Sequence, residues 1–152
     1  MSDPRAKLRE LGLELPEVVA PVAAYVPAVQ TGNLVFVSGQ LPIVDGQLAA
    51  TGKVGDGVSP EHAKDLARRC ALNVLAAIDN LVGLERVVKV VKVVGFVASA
   101  DGFTGQPAVI NGASELFSAV FGEAGLHARS AVGVAELPLG APVEVEAIVE
   151  IA

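Results

Sequence analysis

The chain has no tryptophan, one tyrosine and one methionine, and aromatic side chains make up 4% of its 152 residues. Its apolar mass therefore comes from valine, alanine and leucine. There is a single cysteine, Cys70, which excludes an internal disulfide and offers no metal-binding spacing. No apolar run approaches the ~20 residues that a membrane-spanning helix needs, because a lysine or glycine interrupts every few positions. Basic residues are scarce, with 11 Lys and Arg against 17 Asp and Glu, a formal charge of -6 and a pI near 4.8. Binding to a phosphate backbone relies on clustered Lys and Arg, so a nucleic-acid partner is not expected. The opening "MSDPRAKLRELGLELPE" is charged and lacks an apolar signal core, and a cytoplasmic location is the expectation. Catalytic signatures are missing too: no phosphate-cradling glycine loop, no nucleophile elbow and no metal-spaced His or Cys set. The two histidines, His62 and His127, stand far apart, and nothing in the sequence supports Ser–His nucleophilic chemistry.

What is present is an apolar share of 52% with a mean hydropathy of +0.55, high for a chain with no membrane span. The length suits one domain, residues 1–152, with one core. Part of the apolar excess can be covered between subunits, since obligate interfaces resemble a core cut in half. An oligomer is the expectation.

"DPRAKLRELGL" reads as a short helix opened by Pro4 and closed by Gly12, followed by an irregular stretch around Pro16 and Pro21. "YVPAVQTGNLVFVSG" reads as two strands around Thr31, Gly32 and Asn33, and "LPIVDGQLAATG" turns at Asp45-Gly46, so the first third is predicted to be an antiparallel meander. The strongest helix begins at the N-cap Ser59 with Pro60 at its first position, and Gly83 ends it. Ala63, Leu66, Ala67, Cys70, Val74, Ile78 and Leu81 form one apolar face, which makes Cys70 a packed core thiol. His62, in the first turn, reads as a solvated surface residue. "ERVVKVVKVVGFVASA" is too β-branched for a comfortable helix. Its Lys89 and Lys92 are three apart and would face opposite sides of a regular strand, so a bulge or an exposed sheet face is needed. A second amphipathic helix follows, with Val109, Ala113, Leu116, Phe117 and Val120 inward and Gly122 or Gly125 stopping it. Two strands, "ARSAVGVAEL" and "PVEVEAIVEI", close the chain around Pro138-Leu139-Gly140. The predicted class is α+β, one sheet with helices packed on one face.

Two features could carry chemistry. Arg129 stands at the mouth of an apolar strand, and Glu144, Glu146 and Glu150 share one face of the last strand, opposite Val143, Val145 and Val149. Glu146 and Glu150 read as a solvated sheet face. The short turn between the two strands predicts that they pair side by side, so an Arg129–Glu144 couple could be structural. Equally, Arg129 could wait for an anion from outside the protein.

"HARSAVGVAELPLGAPVEVEAIVEI" resembles the closing signature of the RidA (YjgF) family, "NLVFVSGQLP" resembles its SGQxP stretch, and "VINGASELF" its VNxxYxxFF motif. Order and spacing agree from about Tyr25 to the end, and the segment before about residue 20 resembles a longer-chain subgroup. The resemblance implies a chorismate-mutase-like fold, a mixed sheet with two helices on one face, assembled as a homotrimer with sites in clefts between subunits. It implies hydrolysis of reactive 2-imino and 2-enamino acids to 2-keto acids and ammonia, with no metal or organic cofactor. By the same resemblance Arg129 holds the substrate carboxylate, Glu144 positions the attacking water, and Tyr25, Ser38, Gly39, Asn111 and Ala131 line the pocket. Two other readings stand beside it: a non-catalytic trimer whose clefts bind a small carboxylate as a sensor or chaperone-like partner, and an endoribonuclease, a label that family sometimes carries. The acidic charge and the lack of a suitable His pair make the last the weakest. The chain departs from the family pattern in "AAYVPAV" around Tyr25, in Ala131 where a cysteine is frequent, and in Ser114 where the motif has an aromatic ring.

Overall fold

The computed structural model describes residues 3–21 and 23–152. The elements are α1 (Pro4–Glu10), β1 (Ala28–Thr31), β2 (Leu34–Gln40), β3 (Ile43–Val44), β4 (Gln47–Leu48), β5 (Lys53–Val54) and β6 (Gly57–Val58). They continue with α2 (Pro60–Val82), β7 (Val87–Ala98), α3 (Gln106–Phe121), β8 (Ala128–Val134) and β9 (Val143–Ile151). Short 3-10 turns at Leu84–Arg86, Gly122–Gly125 and Pro138–Gly140 connect them. Helix boundaries follow local chemistry. Asp3 and Ser59 cap α1 and α2 by accepting from Arg5 N and His62 N, each with a proline just inside, and Gly83 ends α2 at a φ of 91°. The Asp45-Gly46 turn has both residues at positive φ, 51° and 81°, the geometry of a two-residue hairpin. His62 is exposed, as its first-turn position implied.

Five strands form the main sheet in the order β1-β2-β9-β7-β8. All pairings are antiparallel except β7–β8, which is parallel and joined by α3 as the crossover that parallel neighbours require. The meander expected over the first third holds only for β1–β2 and β3–β4. The β3–β4 hairpin lies outside the main sheet, and β5 and β6 pair in parallel. A second expectation fails: β8 and β9 do not pair, because β7 lies between them. The crossover through α3 returns β8 to the outer edge of β7, leaving the inner edge for β9.

The odd positions of β9, from Val143 to Ile151, are buried beneath α2 and α3, together with Val35, Val90, Val93 and Val97. Cys70 is fully buried within this core, and burial pushes its thiol pKa well up, which leaves it a packing residue. Helices α2 and α3 pack closely because Gly112 lacks a side chain; a Cβ there would lie 2.9 Å from the Lys64 carbonyl carbon. The N-terminal helix α1 docks outside this pair, with Leu8 buried and Arg5 bridging Asp79 and Glu85. No described helix is long and apolar enough to cross a membrane.

Among the described residues no helix covers the other face of the sheet. Val29, Phe36 and Val132 are 52%, 43% and 43% exposed on it, beside the partly covered Val94, Phe96 and Ile148. Lys89 and Lys92 both reach this face. Register shifts between Val87 and Lys89 and between Val90 and Lys92 place bulges in β7, and each restores one step of alternation. Val90 and Val93 are thereby kept in the core while both lysines stay exposed.

Candidate functional site

The predicted site residues fall into two groups. The first is built on α3 and β8. Asn111 and Ser114 are one helical turn apart and so share a face of α3. Arg129 points from β8 towards that face. Its Nη1 donates to Asn111 Oδ1 at 2.8 Å and to Ser114 Oγ at 3.2 Å, and its Nη2 donates to the Pro107 carbonyl at 3.4 Å. A guanidinium carries five N–H donors. The contacts engage Nη1 twice and Nη2 once, and among the described residues Nε–H takes no partner. Nε and Nη2 lie along one edge of the guanidinium, and a planar carboxylate meets such an edge through two parallel hydrogen bonds. Ala131, two residues further along β8 and on the same face, packs against the core beneath.

The second group is built on β2, β9 and the segment before β1. Between Val37 and Gln40 the β2–β9 register shifts, so Ser38 and Gly39 bulge out of the ladder. Ser38 Oγ donates to the Val26 carbonyl at 2.7 Å, which ties the bulge to the residue after Tyr25. Tyr25 and Gly39 line one small cavity with Pro21 and Pro27. The Glu144 carboxylate lies directly over Gly39: a Cβ at that position would come within 2.8 Å of Glu144 Cδ. Burial, with a smaller contribution from the neighbouring Glu146, raises the Glu144 pKa above the ordinary glutamate value. Its carboxyl group therefore keeps its proton to a higher pH than a free glutamate does.

The two groups do not meet within one chain. Arg129 is opposite Val93, and Glu144 is opposite Phe96 on the other side of β7. That separation is three residues along the strands, about 10 Å, and two strand spacings across, again about 10 Å. The side chains also leave opposite faces, Arg129 towards α3 and Glu144 away from the helices. An Arg129–Glu144 ion pair is thereby excluded, and the five salt bridges among the described residues involve neither.

Two residues at the Arg129 group were not singled out from the sequence as site residues. Ser114 Oγ lies 2.8 Å from His127 Nε2, and His127 Nδ1 lies 2.6 Å from the Gly125 carbonyl. The imidazole stands edge-on to Phe117, with centroids 6.0 Å apart. The available signal was spacing: Ser114 is one turn from Asn111, and His127 is two residues from Arg129. No three or more His, Cys, Asp or Glu side chains converge as a metal site would require among the described residues.

A family model described as Endoribonuclease L-PSP matches residues 16–151. The chain is 47% identical over 148 residues to Protein TCP17 of Trypanosoma cruzi, covering 96% of this chain and 92% of that one. It is 34% identical over 139 residues to a 2-iminobutanoate/2-iminopropanoate deaminase of Dermatophagoides farinae, covering 91% and 94%. A crystal structure of a protein of unknown function from Agrobacterium tumefaciens superposes with a TM-score of 0.91 at 48% identity, covering 98% of this chain and 92% of that one.

Proposed function

Because the chain belongs to the YjgF/RidA family, whose model carries the name Endoribonuclease L-PSP, we propose that it is a deaminase of 2-imino and 2-enamino acids. The reaction runs in clefts between subunits of a homotrimer. One subunit contributes Arg129, Asn111 and Ala131, and its neighbour contributes Tyr25, Ser38, Gly39 and Glu144. The observation that carries the reading is the Arg129 guanidinium, held by three hydrogen bonds to neutral acceptors with no carboxylate paired to it among the described residues and its Nε–H open to a ligand. The exposed apolar sheet face supports the assembly, since such a surface is stable when a second chain covers it.

In this mechanism Arg129 holds the substrate carboxylate and so fixes the position of C2, which removes much of the orientational cost of reaction. Water adds to C2 of the protonated imine, its proton passes to the Glu144 carboxylate, and the C=N π pair moves onto nitrogen. The proton then returns to that nitrogen, the regenerated Glu144 carboxylate takes the proton of the new hydroxyl group as the C–N bond breaks, and ammonia leaves as the 2-keto acid forms. A glutamate whose pKa is raised by burial suits both the acceptance and the return of the proton.

The test is the rate at which 2-iminobutanoate, generated in situ, disappears. Losing two charge-assisted hydrogen bonds costs about 3 kcal/mol, so Arg129→Ala is expected to lower kcat/KM about 100-fold. A folded wild-type protein that binds 2-keto acids but does not accelerate imine loss would leave carboxylate binding without catalysis, and would overturn the deaminase reading.

A further inference from the structure

We propose that Ser114 and His127 are positioning residues that set the plane of the Arg129 guanidinium, so that its carboxylate-binding edge is fixed before a ligand arrives. The inference rests on the reading of Arg129 as a carboxylate clamp. It starts from the direction of the hydrogen bonds. The Gly125 carbonyl can only accept, so the contact at 2.6 Å requires a hydrogen on His127 Nδ1. In the tautomer that carries its one hydrogen on Nδ1, Nε2 presents a lone pair, and the Ser114 hydroxyl, 2.8 Å away, donates its hydrogen there. The Ser114 oxygen is then left with lone pairs only, and one of them receives Arg129 Nη1 at 3.2 Å. The chain runs in one sense, from Arg129 through Ser114 and His127 to the Gly125 backbone.

Without His127 the Ser114 hydroxyl would be free to turn its hydrogen towards Arg129, where a donor faces a donor. Asn111 alone fixes only one hydrogen of Nη1. Two acceptors at defined positions, Asn111 Oδ1 and Ser114 Oγ, hold Nη1 together and restrict the plane of the guanidinium where one acceptor would leave it free to turn. The Nε/Nη2 edge is thereby aimed in one direction. Packing holds the imidazole itself, edge-on to Phe117, which is fully buried in the core. An aromatic side chain at position 114, as in the family motif, would supply neither an acceptor of this length nor a partner for His127.

The experiment measures binding of 2-oxobutanoate to the intact protein by calorimetry, alongside turnover of 2-iminobutanoate. Ser114→Ala and His127→Phe are each expected to raise Kd about three- to tenfold, the scale of one lost hydrogen bond. His127→Phe keeps the ring against Phe117, and Ser114→Thr keeps the hydroxyl, so Ser114→Thr is expected to retain near wild-type affinity. In an Arg129→Lys background neither Ser114→Ala nor His127→Phe should weaken binding further, because both act through the guanidinium. The nitrogen shifts of the His127 ring should show the hydrogen on Nδ1.

A hydrogen on Nε2 overturns the proposal, as does affinity within twofold of wild type in both single variants. Equal losses in the Arg129 and Arg129→Lys backgrounds would also overturn it. Wild-type binding of 2-oxobutanoate with these losses but without imine turnover leaves the positioning role standing while the deaminase reading fails. Turnover and affinity that both variants retain in full leave the deaminase reading standing while the positioning role fails. A wild-type protein that binds no 2-keto acid sinks the clamp and its positioning residues together.

Discussion

If Arg129 and Glu144 serve one cleft, two inactive variants should restore each other. Within a chain the residues leave opposite faces of the sheet, and β7 separates their strands. No rotamer of a single arginine or glutamate spans about 10 Å along and 10 Å across while passing through a hydrogen-bonded sheet. Each cleft must therefore take its arginine from one chain and its glutamate from another. In a random mixture of Arg129→Ala and Glu144→Gln chains at equal amounts, half of the arginine contributions and half of the glutamate contributions are intact. About one quarter of the clefts then carry both, whatever the number of subunits in the ring. The assay is co-expression with two distinct affinity tags, sequential purification to enrich mixed oligomers, native mass measurement of composition, and 2-iminobutanoate turnover per cleft. Each variant alone is expected to be nearly inactive, and the unselected mixture should reach about 25% of wild type. Mixed oligomers of verified composition with no more activity than the parents would refute the two-chain site.

Gly39→Ala and Gly112→Ala are expected to separate function from folding. The first meets only the end of the Glu144 side chain, so it should leave thermal unfolding nearly unchanged but displace that carboxylate by about 1 Å, a shift that can cost about 100-fold in kcat. The second meets the Lys64 backbone, so overpacking of about 2 kcal/mol should lower Tm by about 4–8 °C; equal Tm losses in the two variants would contradict this division. Glu144→Gln bears on pH dependence. A carboxyl group whose folded pKa is raised favours folding most when protonated, below its unfolded pKa, and that contribution is lost as pH rises through the folded pKa. The variant should therefore gain stability relative to wild type at pH 7 and lose that advantage near pH 4, as read by denaturant melts; an advantage that grows on acidification would refute the sign.

Local chemistry made much of the fold readable. Ser59, Pro60 and Gly83 bound α2 because capping is decided by neighbours in sequence. The alternation of β9 announced which face is buried, since side-chain direction in a strand has period two. Lys89 and Lys92 posed a conflict that two bulges resolve, although their positions were not predictable from valines that fit either register. Sheet order was a different matter. The short Pro138–Gly140 connection invited the pairing of β8 with β9, but a strand's neighbours depend on which edges earlier crossovers leave free. The candidate site divides along the same line. Arg129 and Asn111 came from residue type and motif. Their linkage through Ser114 to His127 depends on how α3 crosses over β8, a tertiary relation with no local pattern.

The separation of Arg129 from Glu144 also has a physical logic. On a common face of one chain they would form an ion pair, and a guanidinium beside a carboxylate lowers the carboxylate pKa. The arginine edge would then be occupied by protein, and Glu144 would lose the raised pKa on which its proposed role as a proton acceptor and donor rests. Placing β7 between their strands prevents this neutralisation. Arg129 instead makes three hydrogen bonds to neutral acceptors, Asn111, Ser114 and the Pro107 carbonyl, which orient it without cancelling its charge. Glu144 is desolvated against Gly39 and beside a like charge, Glu146, which keeps its proton affinity high. Under the proposed function, each half is thus held in the state that a substrate lying between two chains would require, the cation without a carboxylate partner among the described residues and the carboxyl group with a raised proton affinity.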